Sequence, residues 1–290
     1  MPVFDHTAYP PGLLAFFVFL FGLCIGSFLN VCIRRIPSEE GLSIVRPASR
    51  CPACKTPIKP YDNIPILSFL LLGGKCRSCR APISALYPAV ELLTGAMFLI
   101  CVLTFGPTLD AIKWAVFTSV LIVLVFTDIL ERILPDAVNF TGLGAGLLFS
   151  CFTAPMDTAA GWICRRLFEF PPPAPALNLV DALLGAAAGS GLLWVVADGY
   201  FRLRGRQGMG LGDVKMMAMV GGFLGPQRTV LTILVGSLLG SLLGGLFILL
   251  RSKGTEYELP FGAFLGAAAL LVLFWGRTLI DWYLRLSGLA

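Results

Sequence analysis

Long apolar stretches alternate along the chain with shorter polar segments, and their lengths predict its elements. About 20 consecutive apolar residues suffice for an α-helix to cross the hydrocarbon core of a bilayer. Stretches of this kind occupy 13–33, 84–106, 109–128, 136–154, 178–200, 228–250 and 260–281. An eighth, at 213–225, is shorter and rich in glycine, so it is either a short span or a re-entrant segment. The pattern predicts an all-α polytopic membrane protein with about eight transmembrane helices.

The composition agrees with this class, and the cationic residues orient it. The 290 residues are 57 % hydrophobic and 13 % charged, with a mean hydropathy of +0.83. Most of the 22 lysines and arginines fall in the segments that the eight-span arrangement places on one side, which are 34–83, 131–135, 201–215 and 251–259. Cytoplasmic loops carry such an excess, so this side is predicted to be cytoplasmic. Topology and contact with anionic lipids then explain the net charge of +5, and nucleic-acid binding is not expected.

Four of the nine cysteines form two C-x-x-C motifs between the first and second predicted helices. They are Cys51, Cys54, Cys76 and Cys79. Two such motifs can enclose a zinc ion tetrahedrally, with all four ligands supplied by the protein and no position left open for chemistry. The alternatives are two disulfides, which a reducing cytoplasm disfavours, and a redox role. We therefore predict a structural zinc site.

The zinc motifs and the apolar stretches together predict the domain organisation. Residues 1–33 are an outer N-terminal tail followed by the first transmembrane helix. Residues 34–83 form a small cytoplasmic zinc loop. Residues 84–290 form a membrane-embedded core with about seven further helices.

Two acidic residues at the cytoplasmic ends of predicted helices are the candidate catalytic pair. Asp128 closes the stretch 109–128, and Asp213 opens the stretch 213–225. A charged side chain in the bilayer centre costs about 2.5–3.5 kcal/mol, so such residues usually have a task. Two neighbouring carboxylates hold one proton between them, so one can activate water while the other protonates a peptide carbonyl. We predict an aspartyl protease, with Asp136 as a helix cap outside the pair.

Five other residues are candidates for substrate or supporting roles. Gly210 and Gly212 permit unusual backbone angles and leave room beside Asp213 for an extended substrate. Lys215 either contacts substrate and developing charge or extends to the membrane interface. Glu91 either makes a hydrogen bond between helices or contacts substrate. Asn30 marks a close polar contact between helices.

The rival interpretation from another class is a proton- or cation-coupled membrane transporter with a structural zinc cap. A non-catalytic assembly factor is a further alternative. Substitution of the two aspartates discriminates among these interpretations. Asp128→Asn or Asp213→Asn should abolish peptide cleavage if the protein is a protease, whereas a transporter or an assembly factor has no such cleavage to lose. Glycine spacings elsewhere, including Gly262 and Gly266, are interpreted as helix packing.

Several short motifs accompany the two aspartates along the chain. They are Gly26-Ser-Phe-Leu-Asn-Val31, the two cysteine pairs, Asn63-Ile-Pro65, Tyr87-Pro88 with Glu91-Leu-Leu93, Asp128 with Leu134-Pro-Asp136, and Gly208-Met-Gly-Leu-Gly-Asp-Val-Lys215. Taken together, these motifs resemble those of the bifunctional type IV prepilin peptidases, which are GxGD membrane aspartyl proteases. The resemblance covers about 22–225, and Cys32-Ile-Arg-Arg35 departs from the usual residues after the first motif.

The resemblance implies an activity and its location. Asp128 and Asp213 would be the catalytic pair that removes the short basic leader of type IV prepilins or type II secretion pseudopilins. The reaction would occur at the cytoplasmic face of the bacterial inner membrane. The resemblance further implies N-methylation of the new N-terminal residue, usually phenylalanine, with S-adenosylmethionine as donor, because the full cysteine loop accompanies the methylating members. No residue pattern identifies a site for this donor, so methylation depends on the resemblance alone.

Overall fold

A computed structural model describes residues 11–38, 43–45, 48–153, 166, 173–206, 208–251 and 260–288. Within these ranges the chain is helical and has no strand, which confirms the all-α class. The predicted N-terminal tail, 1–10, lies outside the described residues. The helices are α1 Pro11–Arg35, α2 Leu67–Leu71, α3 Leu86–Phe105, α4 Leu109–Glu131, α5 Asp136–Ser150, α6 Ala174–Arg204, α7 Leu211–Leu224, α8 Pro226–Arg251 and α9 Phe261–Leu286, with a 3-10 turn at Pro60–Asp62.

Six helices in the described part of the chain are long and apolar enough to cross a membrane, and they confirm a multi-pass membrane protein. They are α1, α3, α4, α6, α8 and α9. The other two predicted spans form α5, of 15 residues, and α7, of 14. At 1.5 Å per residue each is about 20 Å long, short of a hydrocarbon core of about 30 Å. The prediction of eight full spans is therefore not confirmed.

The chain forms two compact units, Met1–Val123 and Leu124–Ala290. In the first unit, glycines bring the backbones of α1 and α3 close together. A Cβ on Gly22 would lie 2.8 Å from the Cα of Gly95, and one on Gly26 would lie 2.7 Å from the Cα of Glu91. Small residues permit this kind of helix approach in membrane proteins. The cysteine loop connects these two packed helices.

In the second unit, α7 is enclosed by α5, α6, α8 and α9. Met216 and Val220 have no exposed surface. Gly221 meets the backbone of Gly185 in α6, and Gly222 faces Leu143 in α5. The segment is thus short and rich in glycine because it packs among other helices. This packing holds the start of α7, and with it Asp213, inside the unit.

Candidate active site and metal centre

The two predicted catalytic aspartates lie close together in the second unit. Asp128 is in the last turn of α4 and Asp213 in the first turn of α7, and they are only 6 % and 8 % exposed. Both carboxylates approach Gly262, the second residue of α9. A Cβ on Gly262 would lie 3.0 Å from Oδ2 of Asp128 and 3.2 Å from Oδ1 of Asp213. Because both oxygens lie this close to one point, the two carboxylates are near neighbours.

Two helix N-termini contribute to this acid pair. Oδ2 of Asp128 accepts a hydrogen bond of 2.8 Å from the backbone N–H of Ala263, in the first turn of α9. Asp213 belongs to the first turn of α7, where its own N–H donates to the carbonyl of Gly210 at 3.2 Å. Helix N-termini carry partial positive charge and N–H groups without helical partners, so they stabilise negative charge. The arrangement suits a carboxylate pair that carries a net negative charge.

Gly262 and Ala263 are site residues that the sequence analysis missed. It assigned Gly262 to helix packing, whereas the structure places it against both carboxylates. A Cβ on Gly262 would also meet Cδ1 of Leu134 at 2.9 Å. The sequence feature that could have indicated this role is Pro260-Phe-Gly262, at the start of an apolar stretch. Proline is common where a helix begins, and glycine permits other groups to approach closely.

The glycines before Asp213 have different surroundings. A Cβ on Gly212 would lie 3.0 Å from Cβ of Leu134, so this glycine allows the segment between α4 and α5 to pack against α7. At Gly210 the nearest atoms would be 3.8 Å away, which leaves space beside the Asp213 carboxylate. The backbone of Gly210 is extended, with φ −75°. Glycine at position 210 therefore provides space and does not serve to permit a left-handed backbone conformation.

Lys215 is held by an acid outside the catalytic pair. Its Nζ lies 2.7 Å and 2.8 Å from the two carboxylate oxygens of Asp136, the first residue of α5. Both side chains are partly exposed, at 34 % and 57 %. This ion pair connects the start of α5 with the start of α7.

The four cysteines of the C-x-x-C motifs form one cluster in the first unit. Their four Sγ atoms all lie within 4.8 Å of one another, and all four residues are free thiols. The Sγ atoms of Cys51 and Cys79 are 3.8 Å apart. A tetrahedron with Zn–S bonds of about 2.3 Å has edges of about 3.8 Å. The cluster therefore fits a four-coordinate metal ion, as predicted.

Each cysteine pair belongs to a turn of the same construction. The residue after the second cysteine is Lys55 in one turn and Arg80 in the other, with φ 59° and 60°. Their N–H groups donate to the carbonyls of Cys51 and Cys76 at 2.9 Å and 3.0 Å. The turns are closed by the β-bridges Arg50 to Pro57 and Lys75 to Pro82. A non-glycine residue at positive φ is uncommon, so its repetition identifies two copies of one metal-binding turn.

Two of the four thiols, Cys54 and Cys76, have a lowered pKa, which favours the thiolate form that binds metal, whereas the pKa of Cys79 is raised to about 11. A side-chain hydrogen bond with the Thr56 hydroxyl and a backbone hydrogen bond at Thr56 lower the pKa of Cys54 to about 6. Backbone hydrogen bonds at Cys79 and Ser78 lower the pKa of Cys76. These groups would be ready to release protons when a metal ion binds.

Glu91 and Asn30 are buried in the first unit, at 8 % and 4 % exposure. Oε2 of Glu91 accepts a 2.8 Å hydrogen bond from the backbone N–H of Ile66, which has φ 60° immediately before α2. Nδ2 of Asn30 donates to the carbonyl of Tyr87 at 3.0 Å. Glu91 thus bonds to the cysteine loop, and Asn30 joins α1 to α3.

The fold and the site define a class: a multi-pass membrane protein with a buried pair of aspartates and a four-cysteine metal cluster in a loop. The chain belongs to the type IV leader peptidase family. The family model with that description matches residues 115–249. The model described as the bacterial peptidase A24 N-terminal domain matches residues 20–105.

Named relatives match between four fifths and nearly all of the chain. The prepilin leader peptidase/N-methyltransferase of Aeromonas hydrophila is 36 % identical, over 94 % of this chain and 95 % of its own. The protein of the same name from Pseudomonas aeruginosa is 34 % identical, over 99 % of both chains. That from Klebsiella pneumoniae is 36 % identical, over 80 % of this chain and 95 % of its own. No solved structure matches the chain. The family resemblance found in the sequence is thus confirmed.

Proposed function

We propose that this protein is an intramembrane aspartyl endopeptidase that removes the leader of type IV prepilins or type II secretion pseudopilins and then methylates the new N-terminus. The family match and the names of the relatives support both activities. The observation that carries the proteolytic half is the convergence of Asp128 and Asp213 on Gly262 at the start of α9. The transporter alternative gains no support from these matches.

The acid pair can carry out peptide hydrolysis by sharing one proton. The ionised carboxylate takes a proton from a water molecule, whose oxygen attacks the scissile carbonyl carbon. The protonated carboxyl donates its proton to the carbonyl oxygen, and proton return to the amide nitrogen releases the amine product. The N–H of Ala263 stabilises the negative charge on the pair and fixes the Asp128 carboxylate. The space at Gly210 is where an extended substrate segment would approach Asp213.

We assign the four-cysteine cluster to a structural zinc ion. Tetrahedral sulfur ligation is typical of zinc, and four protein ligands leave no position for a reacting water. The bound tetrathiolate would carry two negative charges, which the cationic residues of the two turns offset. These are Lys55, Lys75, Arg77 and Arg80. In this assignment, 34–83 is the zinc loop that follows the first helix of 1–33, and 84–290 is the protease core.

The proposed setting is the bacterial inner membrane, with the aspartates and the zinc loop on the cytoplasmic side. The excess of lysine and arginine in the corresponding loops supports this orientation. The methyl donor is S-adenosylmethionine, a cytoplasmic cosubstrate.

Single substitutions of the two aspartates test the proteolytic function. Purified protein in detergent micelles is incubated with a prepilin, and the cleaved product is measured by mass. Asp128→Asn and Asp213→Asn should each slow cleavage by about 10³-fold or more, since proton transfer by positioned groups contributes about 10²–10⁴-fold. Asp198→Asn is the matched control, because Asp198 pairs with Arg202 on one helix at 2.7 Å. Near-normal cleavage by both catalytic variants would refute the protease assignment.

A further inference from the structure

A cavity of about 580 Å³ lies in the first unit, between the cysteine loop and helices α1 and α3. Cavities that bind small molecules and cofactors usually measure about 300–1,000 Å³. Residues from all three of these segments line it, including Asn30 from α1, Ile66 from the loop and Glu91 from α3. The cavity therefore has a size suited to one nucleoside-sized molecule.

Two buried acceptors line this cavity. The Oδ1 of Asn30 is buried and has no hydrogen-bond partner, while the Nδ2 of the same side chain is fixed by the carbonyl of Tyr87. Leaving a buried acceptor unpaired costs about 1–3 kcal/mol. The Glu91 carboxylate accepts from the N–H of Ile66 through Oε2 and also forms a hydrogen bond with the Ser27 side chain, and a carboxylate offers about four acceptor positions in all. The missing partner of Asn30 is therefore a hydrogen-bond donor, and the Glu91 carboxylate favours a ligand that carries positive charge.

Other lining residues suit a ligand that also carries a negative group and an apolar ring. Arginine side chains line the same cavity and can receive a carboxylate. Aromatic and aliphatic side chains, among them Tyr87 and Phe69, can contact a flat ring. The arginines are Arg34, Arg35, Arg50 and Arg77, the last of which pairs with Asp62 at 2.6 Å. The lining thus combines acceptors, cations and apolar surface.

We propose that this cavity binds S-adenosylmethionine, with Glu91 and Asn30 as binding residues; the proposal rests on the methyltransferase half of the proposed function. S-adenosylmethionine has an ammonium group that can donate to Asn30, a sulfonium whose positive charge the Glu91 carboxylate can attract, a carboxylate for the arginines and an adenine ring for the apolar surface. In the transfer, a neutral pilin amine that has released a proton to water attacks the methyl carbon. The C–S bond breaks with its electron pair left on sulfur, so the products are an N-methylammonium and S-adenosylhomocysteine.

Direct binding measurements test the assignment without relying on turnover. The full chain with its metal is purified in detergent micelles, and the Kd values for S-adenosylmethionine and S-adenosylhomocysteine are measured by titration calorimetry without prepilin. Glu91→Gln keeps one acceptor oxygen for the N–H of Ile66 and replaces the negative carboxylate by a neutral amide. We expect it to weaken S-adenosylmethionine about tenfold, because its sulfonium loses the attraction of the Glu91 carboxylate, and S-adenosylhomocysteine, which has no sulfonium, by a smaller factor. Asn30→Ala should weaken both ligands.

Controls separate binding from structural roles. Asp198→Asn should bind both ligands like the wild type. Zinc content and the midpoint of thermal unfolding report whether each variant keeps its loop. If Asn30→Ala has lost the metal, its Kd values no longer report on ligand binding alone. The Kd values of Glu91→Gln then test the proposal.

Three results would overturn the proposal, and each would show which step of the argument is wrong. Unchanged Kd values in Glu91→Gln mean that this residue only anchors the loop. Equal weakening of both ligands means that Glu91 acts through the position of Ile66. A wild-type protein that methylates a prepilin but does not bind the donor by itself excludes this preformed cavity. Absence of methylation by the wild-type protein would instead refute the methyltransferase function.

Discussion

The metal cluster and the acid pair are assembled in different ways. Each half of the metal cluster is a short turn that fixes its own two cysteines through local hydrogen bonds. The acid pair has no local framework, since Asp128, Asp213 and Gly262 belong to three helices that are distant in sequence. We therefore expect the first site to tolerate changes elsewhere, because its turns are local, and the second to be sensitive to single methyl groups, because its helices pack closely.

Loss of the metal is the largest effect expected from this contrast. Cys51→Ser combined with Cys76→Ser removes one ligand from each turn, so the two turns no longer form a closed tetrahedral site. We expect the zinc content to fall from about one ion per chain to nearly none, because structural zinc sites depend on the complete ligand set. Elemental analysis of the purified protein measures this.

The control for the cysteine variant is Cys24→Ser, an exposed cysteine in α1 outside the cluster. It should keep the metal. Disulfide bonds among the four cysteines of freshly purified wild-type protein, or full zinc content in the double variant, would contradict the zinc assignment.

A single methyl group at Gly262 tests the sensitivity of the acid pair. In Gly262→Ala the new Cβ would meet both carboxylates at 3.0 Å and 3.2 Å and Leu134 at 2.9 Å. Displacing catalytic groups by about 1 Å can cost about 10²-fold in rate, so we expect kcat/KM for prepilin cleavage to fall about 10–100-fold. Gly144→Ala is the matched control, because a Cβ there would meet nothing within 4 Å. Wild-type kcat/KM in Gly262→Ala would show that the acids do not depend on this approach.

The smallest effect is expected at the ion pair between Lys215 and Asp136. Partly exposed ion pairs contribute about 0–1 kcal/mol, so Lys215→Gln and Asp136→Asn should each reduce kcat/KM by no more than about fivefold. The two effects should be similar and should diminish at high salt. A loss above about 100-fold confined to Lys215→Gln would instead give Lys215 a direct role with the substrate, as one of the two sequence interpretations holds.

The contrast between local and distant interactions also explains what the sequence could predict. The four cysteine ligands followed from spacing, because a C-x-x-C turn determines its own geometry. The repeated metal-binding turn was present in the sequence as similar residues after each motif, although the sequence analysis did not use it. The eight helical segments followed from apolar length, but α5 and α7 proved too short to be counted as full spans. Apolar length does not distinguish a helix that faces lipid from one, such as α7, that is enclosed by protein.

The contact of Gly262 and Ala263 with the acids was beyond what sequence spacing could predict. Spacing identified Gly262 as a helix-packing position, which is correct for a glycine that permits close approach. It could not indicate that the neighbouring atoms would be the oxygens of Asp128 and Asp213, because that depends on how α4, α7 and α9 come together. The same applies to the Ala263 N–H, since any helix start offers such a group.

The central claim is that Asp128 and Asp213 act as one catalytic unit, and a double-variant cycle tests it most directly. Cleavage of a prepilin is followed with excess enzyme for Asp128→Asn, Asp213→Asn and the combined variant. Residues that act together show strongly non-additive effects. The account predicts that the double variant is about as slow as the slower single variant, with each single variant already slowed by about 10³-fold or more. Losses that multiply in the double variant, or a single variant that cleaves at nearly the wild-type rate, would contradict it.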